Sequence, residues 1–269
     1  MSGLGEQKLV AVDIGNSRLK FGCFSTPAVD DCLPTPLSTL ALTIDDLSPL
    51  VTWCNTHQLH SAPWFISSVN RQSATQLLAW LQTSAGQLPK QCHVLTSGDL
   101  PLQVELARPD HVGNDRLAAA VAANRLREAG RPAIVVDLGT AITVNQISAA
   151  GVFCGGAILP GLTTSARALH EMTDLLPLIE MHALQVPPAP VGVSTPLAMQ
   201  AGLFWGAVGA VRELIAQFSA GLSSTPQVYI TGGAAELVVA ELGATACFVP
   251  HLTLAGICLS AQHLLENQR

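Results

Sequence analysis

An apolar run ends in an Asp-x-Gly turn twice in this chain: Asp13-Ile14-Gly15 follows residues 9–12, and Asp137-Leu138-Gly139 follows residues 133–136. Beyond the first turn, residues 18–24 alternate polar and apolar, as a half-buried strand does. Beyond the second, residues 141–147 read as another strand. Gly15, Asn16 and Ser17 in the first copy, and Gly139 and Thr140 in the second, supply bends that tolerate positive φ. Each copy is therefore a β-hairpin with a carboxylate at its lip. A hairpin-plus-helix unit repeated in one chain predicts an α/β protein of two related lobes facing a cleft. The boundary is placed near residue 112, giving lobes 1–112 and 113–269.

The remaining pattern fills in both lobes. Helical periodicity is read over 44–57, 73–81, 112–129, 162–171, 195–218 and 235–242, with a final helix after them. Short apolar strands are read over 64–69, 93–96, 153–158 and 228–230. The 112–129 helix is rich in Ala, with Leu117, Val121 and Leu126 on its inner side, and Gly130 and Pro132 end it. Of 269 residues, 49% are hydrophobic and 12% charged, which is the composition of a well-buried globular chain. The formal charge is −6 and no basic stripe exists, which argues against a nucleic-acid partner. An anionic substrate would then need a cation and backbone amides. The first apolar run is too short for a signal segment or a membrane span, and the later ones are interrupted. Seven cysteines without a C-x-x-C pair fit reduced thiols in the cytoplasm. Cys54, His57 and His60 have metal-like spacing, but no fourth ligand accompanies them, so a helix face is the better reading.

Both Asp-x-Gly turns set a carboxylate beside a bend where backbone N–H groups can converge on phosphate oxygens. The carboxylate can hold a cation directly or through water. Either turn alone is better read as an ordinary Asx-turn; two copies, with the Thr231-Gly232-Gly233 turn after a third strand, favour phosphate binding. Gly155-Gly156 and Pro160-Gly161 mark another sharp segment. No Walker A loop, dinucleotide fingerprint or protein-kinase signature is present. Gly113-Asn114-Asp115-Arg116 opens the Ala-rich helix. There Asp115 can serve as a helix-terminal charge, or as the base that receives a hydroxyl proton in phosphoryl transfer, with Arg116 pairing a substrate carboxylate.

Taken in order, these segments resemble the type III pantothenate kinase family, which includes proteins called Bvg accessory factor homologues. The segments are residues 13–20 (Asp13, Ile14, Gly15, Asn16, Ser17, Arg18, Leu19, Lys20), Gly113 to Arg116, residues 137–141, residues 155–158 with Pro160-Gly161, Thr195 in its Ser-Thr-Pro context, and residues 231–233. The resemblance implies the two-lobed actin/Hsp70/sugar-kinase (ASKHA) fold. It implies ATP-dependent phosphorylation of pantothenate to 4′-phosphopantothenate, the first step toward coenzyme A. Residues 13–20 and Thr140 would contact ATP, and Gly232 and Gly233 would suit close backbone approach to the nucleotide. Mg²⁺ would sit by Asp13, directly or through water, and Asp137 would hold a monovalent cation, K⁺ or NH₄⁺. Asp115 would be the catalytic base, with Gly113, Asn114, Arg116 and Thr195 touching pantothenate. A cytoplasmic homodimer, with no nucleic-acid or membrane partner, completes the expectation.

Three positions depart from the family pattern. Leu106 lies near where many members have Tyr, Ser17 replaces a common Thr, and Asn145 stands where many have Asp. A kinase of the same fold for another small alcohol, and a non-catalytic regulatory member, remain as alternatives. The acidic and Arg-bearing pair at 115–116 favours an acceptor with its own carboxylate. Retention of Asp13, Asp115 and Asp137 favours catalysis.

Overall fold

A computed structural model describes residues 7–26, 32–83, 91–243 and 246–267. In chain order the elements begin with β1 (Gln7–Ile14), β2 (Leu19–Thr26), β3 (Ser38–Leu42), α1 (Ser48–His57), β4 (Trp64–Ser68), α2 (Arg71–Thr83), β5 (Cys92–Val94) and α3 (Asn114–Leu126). They continue with β6 (Ala133–Leu138), β7 (Ala141–Ile147), β8 (Phe153–Pro160), α4 (Leu162–Met172), α5 (Thr195–Ala220), β9 (Gln227–Thr231), α6 (Ala235–Leu242), β10 (Ala246–Phe248) and α7 (Leu252–Asn267). Two compact units result. The first joins Met1–Leu126 to His251–Arg269, and the second is Arg127–Pro250.

The first unit is built on a five-stranded sheet in the order β3-β2-β1-β4-β5. β1 and β2 form the expected antiparallel hairpin, and β4 runs parallel on the other side of β1. Alternation along β1 sends Val10, Val12 and Ile14 into one core with Trp64, Ile66, Leu50, Trp53 and Leu77. α3 and α7 pack against β4, and α7 also against β1 and β2. The sequence suggested an α3 with one inner side, yet every residue from Leu117 to Ala123 is buried. The cause is a close crossing with α7. A Cβ on Gly256 would lie 1.8 Å from the Ala118 carbonyl oxygen, so the two backbones meet where neither carries bulk.

The second unit has its own five-stranded sheet, β10-β9-β6-β7-β8. β6, β7 and β8 are antiparallel neighbours, whereas β9 runs parallel to β6 and β10 parallel to β9. Taken from β8 to β10, this is the first sheet again, strand for strand, which gives physical form to the repeated hairpin. Ile134, Val136 and Val144 meet Phe204, Val208 and Val211 of α5 and Val238 of α6 in a separate core.

The chain thus forms two units of matching topology, but their limits differ from the expected break at 112/113. α3 and α7 belong together in the first unit because their packing is mutual, so the chain leaves that unit after Leu126 and returns at His251. The expected 44–57 helix begins later, at Ser48, because the Ser48 N–H and hydroxyl both donate to the Asp46 carboxylate, at 3.0 and 2.6 Å, in a turn. Among the described residues no helix is long and apolar enough to cross a membrane.

Candidate active site

In the first unit the candidate residues gather where β1 ends. Asp13 pairs across the hairpin with Lys20, whose Nζ lies 3.5 Å from Asp13 Oδ2. The Gly15 N–H donates to the Arg18 carbonyl at 3.1 Å and closes the turn. Asn16, Ser17 and Arg18 at its tip are exposed. Ile14 and Leu19 are buried in the core, so they can offer a nucleotide only their backbone. Asp13 itself is only 5% exposed. Burial pushes its carboxyl above the ordinary carboxylate range; Lys20 pulls it back, and the nearby Asp115 charge pushes it up further. A buried carboxylate beside a second carboxylate is a place that favours added positive charge.

Asp115 lies in the first turn of α3. Its Oδ1 accepts the Arg116 N–H at 2.7 Å, and the carboxylate folds over Gly113, where a Cβ would meet Oδ1 at 2.5 Å. The helix-terminal role weighed from the sequence is therefore present, and it fixes the carboxylate while leaving Oδ2 outside that bond. Asn114 is used structurally, since its Nδ2 donates to the Leu95 carbonyl at 2.9 Å and anchors the segment. Arg116 is half-buried, and that burial lowers its pKa against the opposing pull of Asp115.

Sequence reasoning passed over Ser67. It is the register partner of Asp13 on β4, is 1% exposed, and its Oγ has no hydrogen-bond partner. The available signal was the Ser67-Ser68 pair set between the apolar Trp64-Phe65-Ile66 run and Val69. His251 was also missed. It opens α7 at a left-handed φ of 57°, and Lys20 adds to a downward pKa shift caused first by burial.

The second unit repeats the lip. Asp137 on β6 pairs with Thr143 on one side and with the buried Thr231 on the other. Gly232 adopts φ +104°, and a Cβ there would sit 2.5 Å from Asp137 Oδ1 and from the Leu138 nitrogen. Only glycine fits, so the Thr-Gly-Gly turn is locked against the Asp-x-Gly turn. Thr140 is exposed, and its carbonyl accepts the Thr164 hydroxyl at 2.6 Å and the Gly161 N–H at 3.0 Å. Gly233 is exposed beside this turn. Asn145 is buried and its Nδ2 donates to the Thr143 hydroxyl at 3.1 Å. Thr195 stands apart from the turns. It begins α5 and lines a cavity of about 570 Å³ with Leu169, Leu176, Val193, Met199 and Leu203.

Among the described residues no group of three or more His, Cys, Asp or Glu side chains could hold a metal ion. The donors at each lip are a carboxylate and hydroxyls, all hard oxygens. They fit a cation whose shell is completed by phosphates and water, as Mg²⁺ with a nucleotide commonly is.

Two matching α/β units, each ending a central strand in a carboxylate beside a Gly-bearing turn, define the actin/Hsp70/sugar-kinase class of fold. A solved structure of that class, a protein from Sinorhizobium meliloti described as a 2-dehydro-3-deoxygalactonokinase, aligns over 95% of this chain and 99% of its own at a TM-score of 0.57 and 14% identity. Residues 9–217 match the sequence profile of the type III pantothenate kinases, and the chain belongs to that family. A type III pantothenate kinase from Gluconobacter oxydans is 40% identical over 163 residues, covering 61% of this chain and 58% of its own. One from Paramagnetospirillum magneticum is 39% identical over 170 residues, covering 62% and 64%. The aligned stretch thus spans about three-fifths of the length of these relatives.

Proposed function

We propose that this protein transfers the γ-phosphoryl group of ATP to the primary hydroxyl of pantothenate, giving 4′-phosphopantothenate and ADP on the route to coenzyme A. The observation that carries the reading is Asp115, held at the start of α3 within electrostatic reach of Asp13. Residues 13–20 and the Thr140, Gly232 and Gly233 turns would bind the nucleotide. Mg²⁺ near Asp13 would neutralise charge on the phosphate oxygens, and a K⁺ or NH₄⁺ ion would sit at Asp137. The Asp115 Oδ2 would hold the acceptor hydroxyl and take its proton as the new O–P bond forms and the bond to ADP breaks. Arg116 would pair with the pantothenate carboxylate. Thr195 would contact the rest of that substrate from its largely apolar cavity.

A cytoplasmic homodimer is part of the proposal. All seven cysteines are free thiols. Of the eleven exposed large hydrophobic residues among those described, seven fall between Met172 and Leu197, a concentration that suits a covered surface better than open water. The chemistry is tested with a coupled ADP-release assay on pantothenate and on a panel of sugars and polyols, in K⁺ and in Na⁺ buffers with Mg²⁺. Turnover on pantothenate, faster in K⁺, is expected. Folded protein that turns over a sugar instead would assign it to another acceptor, and no turnover on any alcohol would remove the kinase reading.

A further inference from the structure

Ser67 poses a problem that the first unit's own side chains leave unsolved. Its hydroxyl is buried and has no hydrogen-bond partner, although a buried polar atom left in that state is destabilising. Asp13 is its register partner on the parallel strand β1. Register partners on adjacent parallel strands carry their side chains on the same side of the sheet, about 5 Å apart. The side is set by the pleat: Val12 and Ile14 turn to the core shared with α1 and α2, so Asp13 and Ser67 both turn the other way. Asp115 acts electrostatically on Asp13. Two carboxylates and an unsatisfied hydroxyl therefore converge with no bond between Ser67 and Asp13. The second unit carries a hydroxyl at the matching place, Thr231 beside Asp137.

We propose that Ser67 is a positioning residue whose hydroxyl binds a water ligand of the divalent cation held with the nucleotide at Asp13. The inference rests on the kinase reading for the nucleotide, but not on pantothenate as the acceptor. A hydroxyl both donates and accepts, so it can accept a hydrogen bond from a cation-bound water while that water's other O–H donates to Asp13. Ser67 would touch neither nucleotide nor acceptor. It would set where Asp13 and the cation's water stand.

The test is Mn²⁺ binding to the full chain in the presence of a non-hydrolysable ATP analogue, followed by electron paramagnetic resonance. Wild type, Ser67→Ala and Ser67→Thr are compared, each with a melting curve in the absence of cation and nucleotide. Ser67→Ala is expected to bind Mn²⁺ about 3- to 10-fold more weakly, the scale of one lost hydrogen bond, with a melting temperature equal to or above wild type. Ser67→Thr keeps the hydroxyl and is expected to recover most of the affinity. Unchanged Mn²⁺ affinity in Ser67→Ala overturns the proposal and leaves Ser67 with a structural water only. A lower melting temperature accompanied by unchanged affinity does the same. Wild type that binds Mn²⁺-nucleotide normally but does not phosphorylate pantothenate counts against the acceptor assignment alone.

Discussion

Asp115 carries two duties on one carboxylate. Oδ1 is committed to the Arg116 N–H, and that bond would hold the other oxygen in position for an acceptor. Asp115→Asn retains the carbonyl oxygen that receives this N–H but cannot accept a substrate proton. We expect kcat to fall roughly 10²–10⁴-fold. Stability should change by about 0.5 kcal/mol or less, as for substitutions outside the core. Steady-state kinetics and thermal melts on one preparation check both; wild-type kcat in the Asn variant would reduce Asp115 to a helix-terminal charge. Asp13 shows the opposite economy. Its pKa is raised in the folded chain, so the folded state binds more protons than the unfolded one between the ordinary carboxylate pKa and the raised value. Its contribution to stability is full below the unfolded pKa and lost as pH rises through the folded one. Above that folded value the ionised carboxylate is thus a cost to the fold, retained where a phosphate-bound cation would need it.

Among the elements, the contact between α3 and α7 determines where Asp115 stands. Gly256→Ala would drive a methyl group into the Ala118 carbonyl, which helix backbone cannot yield without separating the pair. Overpacking of this kind costs about 1–3 kcal/mol. We expect a melting temperature lower by about 2–4 °C for each kcal/mol, read by calorimetry. An unchanged melting temperature would mean that the helices are not held at this distance in solution. The same contact marks the limit of what the sequence made legible. The hairpins, their carboxylates and most helices could be read because local chemistry fixes them: a Gly-bearing turn, an alternating strand, an Ala-rich run. β3 and β10 were not read: neither contains a fully buried residue, and β3 offers the core only the half-buried Leu40 and Leu42. The unit boundary was missed because α3 finds its partner far along the chain, and a single glycine does not announce which helix it faces. At the candidate site the carboxylates were legible, but Ser67 was not, because only the parallel pairing of β1 and β4 brings it beside Asp13.

For the whole molecule, the proposed self-association has a specific locus in the second unit. Val193 is 90% exposed and Leu175 85%. With the dimer as proposed, light scattering should report twice the chain mass for the wild type and one chain mass for a Leu175→Asp, Val193→Asp double variant; a wild type that is monomeric at micromolar concentration would leave these side chains without that explanation. The two units also differ in continuity, although their sheets match. The second is a single stretch, whereas the first is completed only by α7, which lies against strands made at the other end of synthesis. About 125 residues separate α3 from α7. At ribosomal speed that interval lasts on the order of 6–25 s. During it the part of the β1–β4 sheet that α7 covers stays open while the second unit, a single stretch, is already complete, so the half of the chain made first is the last to close.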